Sequence, residues 1–426
     1  MLLIKNTFLI DPKTHRQERA DILVCDGKIA AIGDAAAFKK MTDASQLQIY
    51  DGEGLVAAPG LIDVHVHFRD PGFTYKEDIL SGSRAAAAGG FTTVVLMANT
   101  NPVVDNKETL SYVLEKGKET GIHVKSCCSI TKGMRGEELT DMSYLLQQGA
   151  AGFTDDGKPL LDEALTYQAM QEAARLGTVL SFHEENPAYI KDNGINEGKA
   201  SAYYGIGGSS REAEIGMVRR DIRLAAETGA AINIQHISTK EAVMLVREAK
   251  KAGHAIHAEA TPHHIALTQE AAIRCGTLAK MNPPLREELD RAAIIEGLKD
   301  GTIDLIATDH APHSREEKEK PITQAPSGII GLETALPLCI TNLVKPRHLT
   351  LMQLLEKLTR NPAKLYGLDA GYLAVGGPAD IVLFDADAEN HIEGFLSKSW
   401  NSPFLGKKLT GKVRCTICGG RIVYQK

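Results

Sequence analysis

Short apolar, β-rich runs alternate with helical patterns through most of this chain, and that alternation limits the possible folds more than any other feature. The runs occupy residues 60–68, 92–99, 123–130, 149–156, 178–185, 231–237, 255–264 and 304–313. Strands that alternate with helices are typical of βαβ units, whose strands pair in parallel. Because eight such units close into a barrel, the sequence predicts an α/β fold with a (β/α)8 TIM-like barrel.

One of the intervening helices can be bounded from its residues. Residues 163–176 have helical periodicity, and Gly177 follows them. Glycine commonly ends a helix because it adopts the left-handed conformation of the cap without steric cost. The pattern predicts a helix from Glu163 to Leu176, between the fourth and fifth strands.

The two ends of the chain have a different pattern. Alternating or turn-punctuated strands occur there, for example at residues 20–29 and 379–385. Neither end is long enough to be expected to fold alone. We therefore expect residues 1–55 and 373–426 to meet in one small β-sandwich domain, beside a catalytic barrel domain of residues 56–372.

The amino-acid composition indicates which kinds of molecule this protein binds. The 426 residues are 43% hydrophobic and 24% charged, with a formal net charge of -6 and no basic run. These values are typical of a globular protein and argue against a surface for nucleic acid or anionic membranes. We expect a small-molecule ligand, no nucleic acid and no membrane partner.

The first residues and the cysteines bear on location. The apolar start is interrupted at Lys5 and continues into Asp11-Pro12, which favours a strand over a signal peptide. No apolar run is long enough to span a membrane. Seven cysteines, two of them adjacent, fit a reducing compartment. We expect a cytoplasmic protein, in which the Cys415-Thr-Ile-Cys418 pair is structural because no second such pair or nearby histidine completes a metal site.

Side chains that commonly bind metal ions end five of the eight predicted strands. The first strand ends in His65-Val66-His67, whose two imidazoles share one face because side chains alternate along a strand. The other strands end in Asp155-Asp156, His183, His236 and Asp309. Any one of these residues alone is more often structural. Together, at the rim where barrel active sites form, they suffice for two zinc ions.

Several segments resemble the dihydroorotases of the amidohydrolase superfamily, specifically the longer bacterial class. They are residues 59–72 (PGLIDVHVHFRDPG), 281–286 (MNPPLR), 307–313 (ATDHAPH), 328–334 (GIIGLET), 361–367 (NPAKLYG) and 376–382 (GGPADIV). The similarity covers nearly the whole chain. It implies reversible cyclisation of N-carbamoyl-L-aspartate to L-dihydroorotate with loss of water, the third step of de novo pyrimidine biosynthesis.

The resemblance also implies roles for individual residues. One zinc ion is held by His65, His67 and Asp309, a second by His183 and His236, and Asp156 bridges the two. The implied substrate contacts are His67, Arg69, Asn99, Asn282, His313, Ser327 and Gly328. Arg69 and Asn99 hold the substrate carboxylate with help from His313, and Asn282 touches the ring.

The metal bridge and the Ser327-Gly328 pair differ from a common family pattern. Many superfamily relatives bridge their metals with a carboxylated lysine, but Lys158 lies beyond the end of strand four, so a carboxylate bridge is expected. Asp155 and Asp156 point to opposite faces, and the residues alone do not choose between them; the family pattern selects Asp156. The family often has Phe-Gly where this chain has Ser327-Gly328. The backbone there is still expected to meet the ring, but an apolar contact is lost.

Two further expectations concern proton transfer and a loop. Asp309 is expected to be catalytic, taking the proton of the attacking hydroxide and passing it to the departing ring nitrogen.

The charged stretch 314–321 has too few apolar residues for a buried element, and Pro326-Ser327-Gly328 follows it. We expect a mobile lid there.

Two alternatives to this function remain. A dihydropyrimidinase, hydantoinase or allantoinase would share the barrel, but enzymes without an anionic substrate would not need Arg69. A non-catalytic scaffold relative would usually have lost metal ligands, whereas all six are present here. A homodimer is expected, and association with aspartate transcarbamoylase is left open.

Overall fold

The structure is a computed structural model that describes residues 1–40 and 47–426. Its strands are β1 (Leu2–Asp11), β2 (Arg16–Cys25), β3 (Lys28–Gly33), β4 (Gln48–Asp51), β5 (Val56–Pro59), β6 (Leu61–Val66), β7 (Phe91–Leu96), β8 (His123–Ser126), β9 (Phe153–Thr154), β10 (Val179–Phe182), β11 (Ala231–Ile234), β12 (Ile256–Ala260), β13 (Leu305–Ile306), β14 (Ile381–His391), β15 (Lys408–Cys418) and β16 (Arg421–Gln425).

The α-helices are α1 (Ile79–Ala88), α2 (Lys107–Lys118), α3 (Met142–Gln147), α4 (Glu163–Leu176), α5 (Lys199–Tyr204), α6 (Glu212–Thr228), α7 (Lys240–Lys251), α8 (Pro262–Ala266), α9 (Glu270–Cys275), α10 (Glu288–Asp300), α11 (Arg315–Lys318), α12 (Ala335–Cys339), α13 (Leu351–Leu358) and α14 (Arg360–Leu365). Single turns of 3-10 helix lie at Lys132–Met134 and Pro187–Tyr189, longer ones at Ala35–Lys40 and Gly276–Ala279, and a π-helix at Ile340–Val344.

Strands β6 to β13 form the barrel. All of their pairings are parallel, in one set of three strands (β6–β8) and one set of five (β9–β13). Parallel bridges from Cys128 to Phe153 and from Val66 to His310 join the two sets at both edges. Each of the eight predicted runs overlaps one of these strands, in the predicted order, so the predicted (β/α)8 barrel is confirmed.

Helix α4 shows how local sequence sets the elements around the barrel. Its N-cap Asp162 accepts a hydrogen bond from the Leu165 amide, and Gly177 ends it in the left-handed conformation with φ 66°. Its buried residues, spaced by three or four positions, are Thr166, Ala169, Met170 and Ala173. This spacing places one apolar stripe against the strands. The predicted helix bounds are confirmed.

Strands from both ends of the chain form a second sheet. Its order is β16-β15-β14-β5-β1-β2-β3, and β4 also pairs with β1. One apolar cluster joins its two halves, with Ile4 and Ile22 from the first and Ile381 and Ile417 from the second. Val56–Pro59 belongs to this sheet, because it pairs with β1 and β14. The sheet therefore extends a few residues past the predicted boundary at residue 55.

Tyr366 closes the end of the barrel opposite to the metal-binding residues. It packs beside Gly152 at the start of β9 and belongs to an apolar cluster with Val179 and Leu305. Its hydroxyl lies 2.8 Å from Ser181 Oγ. The interior of the barrel at its base is thus filled with packed side chains.

Two findings cover the described residues as a whole. No helix within residues 1–40 and 47–426 is both long and apolar enough to cross a bilayer. All seven cysteines are free thiols, and Cys127, Cys128, Cys339, Cys415 and Cys418 are buried.

The shared core of the terminal sheet can be tested with a truncation of Leu383. This residue is fully buried and lies opposite Ala57 and Cys415. Leu383→Ala should lower the free energy of unfolding by about 2 to 5 kcal/mol through lost burial and a residual cavity. The matched control is Leu289→Ala, because Leu289 is 65% exposed and its loss should change stability by less than about 0.5 kcal/mol. Equal melting temperatures for the two variants would contradict the shared core.

Candidate metal centre

Four histidines and two aspartates from five barrel strands meet at one end of the barrel. Two groups of three have all their ligand atoms within 4.8 Å of one another: His65, His67 and Asp309, and His65, Asp156 and His236. His183 joins the second group, since its Nδ1 lies 2.9 Å from His236 Nε2. All six side chains are buried. The structure therefore brings together every residue of the predicted ligand set.

The Asp156 carboxylate lies at the centre of this cluster. Its Oδ1 is 3.3 Å from His65 Nε2 and 3.7 Å from both His183 Nδ1 and His236 Nε2, and its Oδ2 is 3.4 Å from His67 Nε2. His65 Nε2 and Asp156 Oδ1 are buried without a hydrogen-bond partner among the described residues. Unpaired buried polar atoms are costly. A bound cation would satisfy both.

The neighbouring Asp155 points elsewhere. Its carboxylate accepts hydrogen bonds from the amides of Ile130 (2.8 Å) and Thr131 (3.2 Å), and from the Thr131 hydroxyl. These contacts fix the turn after β8. Of the two adjacent aspartates, only Asp156 faces the histidines.

A further layer of polar side chains orients the histidines. Glu259 Oε1 lies 2.5 Å from His65 Nδ1, and Glu185 Oε2 lies 3.1 Å from His183 Nε2. Each contact occupies one ring nitrogen and leaves the other aimed at Asp156. Partners of this kind fix the tautomer of a metal-binding histidine.

Glu259 and Glu185 are absent from the residues predicted from the sequence. Glu259 stands in the apolar run Ala258-Glu259-Ala260 and is fully buried, with a hydrogen bond from Asn233 at 3.0 Å. Since a buried carboxylate is rare without a partner, a glutamate inside a predicted barrel strand is the signal that could have identified it.

Electrostatics at the cluster favour added positive charge. Burial lowers the pKa of His183, but Asp156 and Glu185 outweigh it and raise that pKa to about 10. Burial likewise opposes the charged form of His65, and the carboxylates around it raise its pKa well above 6.5. Without a metal the carboxylates attract protons to the imidazoles. A metal ion would replace these protons.

Three residues of the site have left-handed backbone conformations that non-glycine residues rarely adopt. The φ angles are 60° at Arg69, 34° at His236 and 46° at Asp309. Such strain persists where the surrounding structure fixes it, commonly at functional sites. These conformations direct the three side chains at the ends of their strands.

Arg69 lies at the mouth of the site without a carboxylate partner. Its Nε donates to the Pro312 carbonyl at 3.2 Å, and within residues 1–40 and 47–426 no acidic side chain forms an ion pair with it. Nearby, Lys76 Nζ is 2.9 Å from Glu317 Oε1, so that cation is neutralised. His313 Nε2 donates to the Ser327 carbonyl at 2.8 Å and lies 3.5 Å from an Arg69 nitrogen.

Asn99 is engaged within the cluster. Its Oδ1 lies 2.9 Å from His67 Nδ1, and its Nδ2 is 3.3 Å from the carboxylate and the carbonyl of Asp156. Asn99 thereby orients a histidine and the central carboxylate. Its contact with a substrate carboxylate stays a prediction.

The residues predicted to meet the substrate ring fall into two groups. Asn282 Oδ1 and Ser327 Oγ are buried without a partner among the described residues, and both lie close to Gly194, where a side chain would overlap them. They are available to a ligand. Gly328 differs, because its amide donates to Lys280 O at 2.9 Å and its carbonyl accepts from Lys318 and Asn401. The backbone contact of Gly328 with the ring stays a prediction.

The charged segment after the eighth strand is partly buried. Arg315–Lys318 is a short helix, and the Lys318 ammonium donates to the carbonyls of Pro326 (2.8 Å) and Gly328 (3.2 Å). Lys318 is only 5% exposed. The expectation that this segment has no buried element is wrong at Lys318, because backbone carbonyls satisfy its charged group.

Comparisons with known proteins agree with this geometry. The family profile described as the amidohydrolase family matches residues 56–423. Proteins named dihydroorotase from Clostridioides difficile and Clostridium acetobutylicum are 55% and 51% identical over 427 residues, covering all of this chain and of each relative. The solved L-hydantoinase (dihydropyrimidinase) from Arthrobacter aurescens has TM-score 0.87 and 28% identity, and the match covers 100% of this chain and 96% of that one.

The central position of Asp156 can be tested by metal analysis. Asp156→Ala removes the carboxylate that approaches all four imidazoles, so metal content should fall from about two ions per chain to below about one. The matched control is Asp155→Asn, which keeps an oxygen acceptor for the Ile130 and Thr131 amides and should keep both metals. Equal metal content in the two variants would remove Asp156 from the ligand set.

Proposed function

This chain belongs to the amidohydrolase family, and we propose that it acts as a dihydroorotase, closing N-carbamoyl-L-aspartate to L-dihydroorotate with loss of water and catalysing the reverse hydrolysis. The full-length identity of 48–55% to proteins named dihydroorotase supports this substrate. The enzyme is a hydrolase of cyclic amides with a small-molecule substrate.

Two zinc ions fit the donor atoms at the barrel end. We assign His65, His67 and Asp309 to one ion and His183 and His236 to the other, with Asp156 shared. Nitrogen and carboxylate donors with open positions are typical of catalytic zinc. When bound, such ions lower the pKa of a water molecule and polarise the carbonyl that is attacked. The unpaired His65 Nε2 and Asp156 Oδ1 support this assignment.

Asp309 has the geometry for moving a proton. Its Oδ1 is 2.9 Å from His67 Nε2 and 3.4 Å from His65 Nε2, whereas its Oδ2 accepts no hydrogen bond from any described residue. Opposing the effect of burial, the charge of His65 and the contact with His67 lower the pKa of Asp309 to about 2. The carboxylate is therefore ionised at neutral pH, and its free Oδ2 is the atom placed to receive a proton. It takes that proton from the attacking water in hydrolysis and delivers it to the departing nitrogen.

The unpaired guanidinium of Arg69 is the observation that favours a substrate with a carboxylate over an uncharged one. Burial lowers the pKa of Arg69, and an unneutralised cation in such a setting gains from binding an anion. A carboxylate on the substrate supplies that anion through charge-assisted hydrogen bonds. Asn282 and Ser327, with free oxygens, are then available to N–H groups of the ring.

Two other functions fit less well. A hydantoinase or dihydropyrimidinase would share the fold, as the structural comparison indicates, but an uncharged ring leaves Arg69 without a partner. A non-catalytic scaffold has no need of six converging ligands with their own orienting carboxylates.

Free, buried Cys127 and Cys128 support a reducing, cytoplasmic setting. The homodimer and the association with aspartate transcarbamoylase stay predictions.

The role of Arg69 predicts a change in substrate selectivity. Arg69→Ala should reduce turnover of L-dihydroorotate by roughly one to two decades, the equivalent of about 1.5 to 3 kcal/mol for a lost charge-assisted pair. Turnover of dihydrouracil, which has no carboxylate, should change far less. Arg84→Ala, at an exposed arginine of α1, serves as the control and should alter neither rate. Equal losses on both substrates would exclude Arg69 from carboxylate binding.

A substitution at Asp309 is expected to separate metal binding from proton transfer. Asp309→Asn keeps an amide oxygen that can coordinate weakly but cannot accept a proton at neutral pH. Turnover in both directions should fall by about 10² to 10⁴-fold while much of the zinc remains bound. Stopped-assay rates and elemental analysis of the same sample provide both quantities. A fully metallated variant with substantial turnover would transfer the proton-shuttle role to another residue.

A further inference from the structure

A second group of metal-ligating side chains lies away from the catalytic end of the barrel. It consists of His123, the first residue of β8, Asp380, which precedes β14, and Cys418, the last residue of β15. Their ligand atoms all lie within 4.8 Å of one another. Since His123 begins its barrel strand, this group lies at the rim opposite to the one that holds His183 and Asp156.

The three side chains are arranged closely enough to share one ion. His123 Nε2 is 3.0 Å from Asp380 Oδ2, and the other oxygen, Oδ1, accepts a hydrogen bond from the Gly419 amide at 2.7 Å. Ligands about 2.0 to 2.1 Å from a tetrahedral ion are roughly 3.3 Å apart. The three ligand atoms, none more than 4.8 Å from another, lie near that spacing. We propose that His123, Asp380 and Cys418 form a separate binding site for a single divalent cation of the zinc type.

The chemistry of the donors selects this class of ion. One thiolate, one imidazole and one carboxylate combine a soft, a borderline and a hard ligand, and the thiolate and imidazole suit zinc and not magnesium or calcium. The ion deprotonates the thiol as it binds, so one proton passes from Cys418 to solvent while the metal–sulfur bond forms. Burial and the neighbouring Asp380 carboxylate raise the pKa of the Cys418 thiol, so the bound ion itself would have to stabilise the thiolate.

The site is open to solvent on one side. Asp380 and Cys418 are buried, but the His123 side chain is 46% exposed. A surface cavity of about 340 Å³ is lined by His123, Cys418 and Gly419. An ion can enter from this cavity, and water can occupy a fourth position.

The partner of Cys418 differs from the one that the sequence suggests. Cys415 and Cys418 are three positions apart in a strand, so their side chains point to opposite faces. Cys415 belongs to the core of the terminal sheet, and Cys418 faces the barrel, where its Sγ is 3.6 Å from the Thr92 carbonyl. The histidine that completes the group comes from a position nearly 300 residues earlier in the chain.

A metal ion here would connect the terminal sheet to the barrel. Asp380 and Cys418 belong to the strands from the end of the chain, and His123 belongs to the barrel. Because an ion that binds only the native state stabilises it by mass action, the site predicts a zinc-dependent melting temperature independent of catalysis.

Cobalt(II) absorption tests this site without interference from the catalytic centre. Holoenzyme is first treated with a chelator just long enough to clear zinc from the three-ligand site while dihydroorotate turnover is retained. It is then titrated with cobalt(II), and a thiolate-to-cobalt charge-transfer band is followed in the near ultraviolet. The catalytic ligand set contains no cysteine, so only a thiolate site produces the band. The expected result is saturation at about one cobalt per chain, with dihydroorotate turnover unchanged.

Three variants make the test specific. Cys418→Ser should abolish the band, and His123→Asn, at an exposed position, should weaken cobalt binding by at least about tenfold. Cys415→Ser, from the same strand, should keep the band. Added zinc should raise the melting temperature of the wild type and of Cys415→Ser but not of Cys418→Ser or His123→Asn. Absence of the band in the wild type, or its survival in Cys418→Ser, would overturn the proposal.

Discussion

Contact between one buried carboxylate, Asp156, and four imidazoles is the interaction on which the catalytic end of this barrel depends. The carboxylate comes from the end of β9, and the histidines come from three other strands, so the cluster exists only when the barrel closes. Burial of this cluster costs free energy of folding because charged groups are removed from water. The cluster is satisfied by cations, first protons on His65 and His183 and then metal ions, and by the outer carboxylates Glu259 and Glu185, which hold the rings in position.

The same charge distribution separates the metal site from the substrate site. The acidic groups are concentrated around the histidines, whereas Arg69, at the mouth, has no acidic partner in the part of the chain that the structure describes. Lys76, its cationic neighbour, is paired with Glu317. In the proposed function, a substrate with a carboxylate at one end and an amide at the other matches this polarity: its anionic end would meet Arg69 and its reacting carbonyl would face the metal ligands. Left-handed backbone at Arg69 and Asp309 holds both side chains at this junction.

Much of this organisation could be predicted from the sequence, because alternation of apolar runs and helices is a local property that the barrel preserves. The eight strands and the helix at Glu163–Leu176 follow from it. The choice of Asp156 over Asp155 did not, since it depends on which face of a two-residue strand turns inward, and the family resemblance supplied it. Glu259 was missed because its partner His65 is distant in sequence. A long-range pairing of this kind leaves a local signal at the buried glutamate but none that identifies its partner.

Turnover of the metal-stripped protein tests the central claim most directly. The purified chain is treated with a chelator, and hydrolysis of L-dihydroorotate and of dihydrouracil is measured before and after zinc is restored. The account predicts no turnover without metal, recovery on addition of zinc, and strong preference for L-dihydroorotate. Turnover that survives complete removal of metal, or a restored enzyme that prefers the uncharged ring, would contradict it.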